Sequence, residues 1–348
     1  MAYNVRNLRP RPIDFANDIA SCLARKLIGQ PAAIDAIVPY VEMYRAMLAP
    51  EGRPVGVFLL LGPTGTGKTK TVETLADVLH GNPKKLLRVD CGEFQMEHEV
   101  AKLMGAPPGY LGHRETQPMF TQQKLNATAS ESCDLSVVLF DEIEKAAPTM
   151  RRLLLGILDK ALLRLGDNSL VNFEKTLIFL TSNLGAREMS RELHPEFGFE
   201  PFLPRRDQDG KLERIAMNAL QKSFAPEFIN RIDAVVTYQP LGSDAMAAIL
   251  DLQLDDLQEL IGRRMGDRAF QLQVVPQARR FLIKKGISDE YGARELKRTL
   301  HRVLIQPLAS LVANGEINPG SLVRAELNSR KDKLILRTIA DEALEPAC

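Results

Sequence analysis

Hydrophobic positions in this chain follow two patterns, and one gives way to the other near residue 240. Before that point, short unbroken apolar runs alternate with helical stretches. Val55 to Leu61 is an apolar run stopped by Gly62; Leu86 to Val89, Val137 to Phe140 and Leu177 to Leu180 follow, with a weaker run at Ala234 to Tyr238. Unbroken runs of this length suit strands buried on both faces, as in parallel sheets. Helical patterning begins near Ile13, recurs from Pro31 to about Leu48, and fills the intervals between the runs. The alternation predicts an open α/β sheet flanked by helices.

After Pro240 the period becomes helical. Met246, Leu250, Leu254, Leu257 and Ile261 fall on one helical face. Leu296, Leu300, Val303 and Leu311 do the same in a later helix, with Pro307 as its expected kink. Short strands are predicted at Phe270 to Val275, Ser321 to Leu327 and Lys333 to Arg337. The resulting division is an arm and first helix over 1–26, an α/β domain over 27–240, a smaller, mostly helical α+β domain over 241–338, and an acidic tail over 339–348. The segment from His194 to Gly210, rich in Pro, Phe and charge, reads as an exposed loop.

Composition narrows the function classes. The net charge of +1 gives no support for nucleic-acid binding, whose affinity comes mainly from positive charge. The longest apolar stretch, Val55 to Leu61, is far too short to span a bilayer, so no membrane partner is expected. Cys22, Cys91, Cys133 and Cys348 are scattered, with no CxxC pair; they read as reduced thiols of a cytoplasmic protein, and neither as a zinc site nor as a disulfide framework.

The chemistry begins where the first strand stops. Gly62-Pro63-Thr64-Gly65-Thr66-Gly67-Lys68-Thr69 matches GxxxxGK[ST], after an apolar strand and before a helical stretch. Glycines let backbone N–H groups curl around phosphate oxygens without Cβ clashes. The following helix aims its N-terminal partial charge at the anion. Lys68 is expected to neutralise the β- and γ-phosphates of ATP, and Thr69 to offer a hydroxyl to Mg²⁺. Asp141 and Glu142 end the run Val137 to Phe140. Ligands of open α/β sheets bind at the carboxyl ends of strands, so both acids should face the phosphate loop. Asp141 would hold the Mg²⁺ shell; Glu142 would orient and deprotonate the attacking water.

Longer motifs make the reading specific. Phe140-Asp141-Glu142-Ile143-Glu144-Lys145-Ala146, Leu180-Thr181-Ser182-Asn183-Leu184-Gly185 and the stretch from Phe224 to Asp233 resemble the Clp family of AAA+ protein unfoldases, most of all the second ATPase module of ClpA, ClpB and ClpC. The likeness runs from Leu27 to about Glu316. It implies a P-loop AAA+ large domain followed by a small C-terminal lid. It implies further that Leu27 and Ile28 cover the adenine and that Asn183 is the polar sensor that positions water. Arg231 would be the arginine finger reaching the γ-phosphate of a neighbouring subunit, and Arg294 a second sensor from the small domain. Read from its residues alone, Arg231 is a surface ion pair with Asp233, and Ser182-Asn183 an ordinary turn. The stretch from Gly105 to Gly112 resembles the first pore loop, with Tyr110 and Leu111 gripping polypeptide; outside that context it is a Pro-Gly turn. Phe197-Gly198-Phe199 lies where family members display a tripeptide that docks a barrel peptidase, and its two phenylalanines can equally fold back on the core.

The implied activity is an Mg-ATP-dependent unfoldase that threads unfolded or tagged protein through a homo-oligomeric, hexameric ring. Shared sites oblige an oligomer, and head-to-tail contacts close naturally into a ring. Two segments depart from the family: 113–118, where a glycine pair is replaced, and 159–168, where a glycine, a threonine and a Gly-Arg ending are replaced. The residues before Leu27 are too few for a substrate-receiving domain, so a stand-alone single ring is expected. The alternatives are an assembly switch that docks a partner without threading, the ATPase subunit of a Clp-type protease, and, against the charge balance, a nucleic-acid motor.

Overall fold

The computed structural model describes residues 19–105, 118–193, 205–286 and 292–339. Contacts divide the chain into two units, Met1–Gly62 with Gly67–Gln239, and Pro63–Thr66 with Pro240–Cys348. Among the described residues no helix is long and apolar enough to cross a membrane.

The first unit opens with α1 (Ile19–Lys26) and α2 (Pro31–Arg45), then β1 (Gly56–Leu61) and α3 (Lys68–His80). It continues through β2 (Leu87–Asp90), α4 (Glu97–Met104), α5 (Gln122–Asn126), β3 (Ser136–Asp141) and α6 (Pro148–Lys160). A hairpin of β4 (Leu162–Arg164) and β5 (Leu170–Asn172) precedes β6 (Thr176–Ser182), α7 (Ala186–Leu193), α8 (Arg205–Ser223), α9 (Pro226–Ile229) and β7 (Ala234–Thr237). Five strands form one parallel sheet in the order β2-β3-β6-β1-β7.

Every residue of β1, β3 and β6 is buried, and alternate side chains feed two separate cores. Val57, Leu59, Leu61, Val138, Phe140, Ile178 and Leu180 pack on one face; Phe58, Leu60, Val137, Leu139, Leu177 and Phe179 pack on the other, against α1, α2 and α3. That double burial explains why these strands read as unbroken apolar runs. Phe58 faces Phe179 in register, and the two rings stack with centroids 5.0 Å apart. Register also levels the carboxyl ends: Leu61 pairs with Ser182, and Phe140 with Leu180. Gly62, Glu142 and Asn183 therefore emerge on one rim.

Three expectations change. The β4–β5 hairpin has no counterpart in the sequence pattern, because only Leu163 and Val171 of its six residues are buried and two three-residue strands leave no readable period. Its entry is Ala161, which closes α6 with φ +51°. The expected loop from His194 to Gly210 ends early, since α8 starts at Arg205; Leu212, Ala216 and Leu220, four residues apart, anchor that helix to the core. Tyr110, Leu111 and Phe197 to Phe199 lie outside the described residues, as do the N-terminal arm and most of the acidic tail.

The second unit contains α10 (Ser243–Met265), β8 (Gln271–Val274), α11 (Pro276–Gly286), α12 (Ala293–Leu300), α13 (Gln306–Ala313), β9 (Leu322–Leu327) and β10 (Leu334–Ile339). The strands form a sheet in the order β10-β9-β8. The five apolar residues predicted on one face of α10 are all buried. The third change is in the later helix. A π-helical turn, His301–Ile305, separates α12 from α13 and leads into Pro307 in the first turn of α13. Pro lacks an N–H and its ring clashes with the carbonyl four residues back, so the wider turn accommodates it. Leu296 and Leu300 are buried as expected, and the widening continues that face through Leu304 and Leu308, with Val303 partly buried against the same core and Leu311 half-buried.

Candidate functional site: a phosphate loop beside two strand-end acids

The three glycines of the 62–69 loop all stand at positive φ. Gly62, Gly65 and Gly67 have φ of +145°, +80° and +108°. A Cβ on Gly62 would lie 2.6 Å from the Tyr238 carbonyl oxygen, so only glycine fits there. Tyr238 is fully buried; its hydroxyl and that of Thr71 lie 2.6 Å apart, and burial pushes its phenol pKa up. Gly67 precedes α3 without a side-chain cap, which leaves the first N–H groups of a 13-residue helix facing the loop. Thr69, in the first turn, is half-buried. Leu27 is buried, with Cδ1 3.9 Å from where a Gly67 Cβ would stand; half-buried Ile28 follows it.

Lys68 is 8% exposed, and its Nζ donates to the Gly62 carbonyl at 2.6 Å and to Asn183 Oδ1 at 2.9 Å. Asn183 Nδ2 in turn donates to Glu142 Oε1 at 3.2 Å. One amide thus joins the phosphate-loop lysine to the second strand-end acid. The Asn183 N–H donates to Glu144 Oε1 at 3.1 Å, which fixes the backbone carrying that amide. Lys145 Nζ donates to Glu142 Oε2 at 2.6 Å; that bond raises the Lys145 pKa.

Asp141 is buried at the end of β3. Its Oδ1 accepts from the Thr181 hydroxyl at 2.5 Å, and its Oδ2 accepts from Arg88 Nη2 at 2.5 Å. Thr181 also accepts the Glu142 N–H at 3.0 Å. Glu142 stands at φ +58°, ψ +52°, a left-handed conformation that costs an L side chain about 1–2 kcal/mol and clusters at functional sites. The donor set fits the group the motif implies. Thr69 and Asp141 offer oxygen, which a hard divalent cation takes, and the glycine cradle with a helix N-terminus behind it fits phosphate.

Arg231 lies apart from this cluster. Nη1 pairs with Asp159 Oδ1 at 3.0 Å, and the two side chains are 41% and 39% exposed. Asp233, the partner expected from sequence alone, instead accepts from Arg53 at 2.5 Å and from the Val57 N–H at 2.8 Å. Within the second unit the Ala293 N–H donates to the Gly65 carbonyl at 3.1 Å, and a side chain on Gly292 would meet that oxygen at 2.9 Å. Arg294 follows as an exposed residue in the first turn of α12.

Sequence reasoning missed Arg88, Thr181, Glu144, Lys145 and Asp159 as members of these networks. Thr181, Glu144 and Lys145 sit inside the motifs that carry the resemblance. Arg88 and Asp159 join only through strand pairing and helix packing, which leave no local signal.

Comparison with known proteins agrees with this fold. Residues 53–235 match the family model described as AAA domain (Cdc48 subfamily). Residues 241–325 match the C-terminal, D2-small domain, of ClpB protein. Chaperone protein ClpB of Brucella suis biovar 1 (strain 1330) is 37% identical over 326 residues, covering 93% of this chain and 35% of that protein. Chaperone protein ClpB of Meiothermus ruber is 37% identical over 299 residues, covering 86% of this chain and 33% of that protein. The chain thus spans about a third of the length of the curated relatives it matches. Among solved structures, S. cerevisiae Hsp104 in complex with casein, extended conformation, aligns with a TM-score of 0.76 at 29% identity, over 91% of this chain and 51% of that one. A closed-state reconstruction of Hsp104 with ATPγS and FITC casein aligns with a TM-score of 0.75 at 29% identity, over 92% and 51%.

Proposed function

Because the chain belongs to the AAA domain family and carries a Clp-type ATPase module, we propose that it is an Mg-ATP-dependent protein remodeller that works as a ring. The observation that carries this reading is the Asn183 bridge, 2.9 Å to Lys68 and 3.2 Å to Glu142. It would couple the lysine that neutralises the γ-phosphate to the group that activates water. Gly62 to Thr69 would cradle the phosphates, with Leu27 and Ile28 against the base. Thr69 and Asp141 would hold Mg²⁺, which would neutralise the negative charge developing on the phosphates.

In the proposed step, Glu142 accepts a proton from a water whose oxygen bonds to the γ-phosphorus as the bond from that phosphorus to the β–γ bridging oxygen breaks and ADP leaves, and Asn183 keeps that carboxylate oriented. Arg231 leaves its exposed partner Asp159 and enters the site of the adjacent copy, and Arg294 contributes from the C-terminal domain. The substrate class is unfolded polypeptide, by analogy with the casein held by the Hsp104 structures; Tyr110 and Leu111 would grip it. A barrel peptidase engaging Phe197, Gly198 and Phe199 is the narrower version, and a cytoplasmic location agrees with the free thiols of Cys22, Cys91 and Cys133.

The first test is the solution mass of Glu142→Gln protein with and without Mg-ATP. A shift to about 230 kDa, six 38.7-kDa chains, is expected. Persistent monomer at saturating nucleotide would sink the ring. Threading is tested separately: Tyr110→Ala should keep ATPase turnover within about 2- to 3-fold yet stop unfolding of a tagged reporter. Unchanged unfolding would leave an assembly switch as the reading.

A further inference from the structure

Thr181 does two things at once at the end of the sheet. The parallel ladder of β3 with β6 ends at the Phe140–Leu180 pair. Beyond it the Thr181 side chain continues the connection. Its hydroxyl proton goes to Asp141 Oδ1, and its oxygen takes the Glu142 N–H at 3.0 Å. The residue is 1% exposed, so water does not reach it to replace either bond. The Glu142 N–H belongs to a left-handed residue whose conformation persists only where its surroundings over-determine it.

We propose that Thr181 is a positioning residue for hydrolysis, its hydroxyl orienting the carboxylate of Asp141 and holding the backbone turn that presents Glu142. This rests on the reading of Glu142 as the water-activating base. Lys145 and Asn183 fix the two carboxylate oxygens of Glu142 from the side-chain end; Thr181 fixes the same residue from the backbone end. Valine has the shape of threonine and lacks the hydroxyl. In Thr181→Val, Asp141 Oδ1 loses a buried donor and the Glu142 N–H a buried acceptor. Serine keeps the hydroxyl and loses only a methyl group.

The experiment compares wild type, Thr181→Val, Thr181→Ser and Glu142→Gln in steady-state ATP hydrolysis and in binding of a fluorescent ATP analogue. For Thr181→Val, kcat should fall about 10- to 100-fold while analogue affinity stays within about 3-fold. Thr181→Ser should recover turnover to within about 3-fold of wild type. A purely structural role would not give that split or that rescue. Should Thr181→Val melt below the assay temperature, Thr181→Ala carries the same comparison against Thr181→Ser. Full turnover in the hydroxyl-less variant, or equal loss in the serine variant, overturns the proposal. Glu142→Gln keeps the two failures apart. Wild-type turnover there removes the underlying reading of the base, whereas loss there with full turnover in Thr181→Val removes only the role of Thr181.

Discussion

Two charged assemblies of the α/β unit are built on opposite principles. At the strand ends, Lys68, Asp141, Glu142, Thr181 and Asn183 form a connected set whose members are buried or half-buried. At the end of α6, Arg231 and Asp159 meet as a single pair with about two-fifths of each side chain in water. The first set is pre-organised: low local dielectric strengthens its bonds, and the sheet register leaves its groups little freedom. The second is weakly held, since exposed ion pairs contribute only about 0–1 kcal/mol. On the proposed roles, Arg231 has to leave its resting place cheaply to serve a neighbouring subunit, whereas Glu142 and Lys68, serving their own, have no such need.

Variants sharpen that contrast. The largest effect is expected at the rim, where Glu142→Gln should lower kcat by about 10²- to 10⁴-fold with ATP still bound, read by steady-state hydrolysis and analogue binding. Arg231→Ala should cost about 10³-fold, the low end for an arginine finger. The informative measurement is a mixture of the two variants. Each is inactive alone, and mixing should restore part of the turnover, because some sites then pair an intact Glu142 with an intact Arg231 from the next copy. Absence of any recovery would place Arg231 in its own subunit's site and erase the distinction drawn above. The smallest effect is expected for Asp159→Asn. Unfolding free energy should move by less than about 1 kcal/mol in a urea titration, and turnover by less than about 3-fold. A large stability loss would show that the pair is structural and that Arg231 is not free to move.

The strand-end acids and the glycine loop were legible because their chemistry is tied to local order. A buried strand announces itself as an apolar run, and the residues just past its carboxyl end lie at the ligand-binding edge. The α10 face was legible for the same reason, a helical period long enough to count. The β4–β5 hairpin was not, because two buried residues carry no period. The π turn before Pro307 was half legible: proline marked a disturbance, and packing decided that the backbone widens ahead of it.

The partner of Arg231 marks the same boundary. Sequence proximity favoured Asp233, two residues away, yet Asp233 serves Arg53 and the Val57 N–H, and Arg231 crosses to Asp159. By itself the sequence determined the glycine loop, the two strand-end acids and which end of the sheet they occupy, since those follow from motif spacing and strand burial. Only the tertiary structure decided that Asn183 joins Lys68 to Glu142, that Thr181 holds both acids, and where Arg231 rests. Those contacts span 39 to 115 residues and depend on the order β3-β6-β1 and on helix packing, which no local pattern encodes.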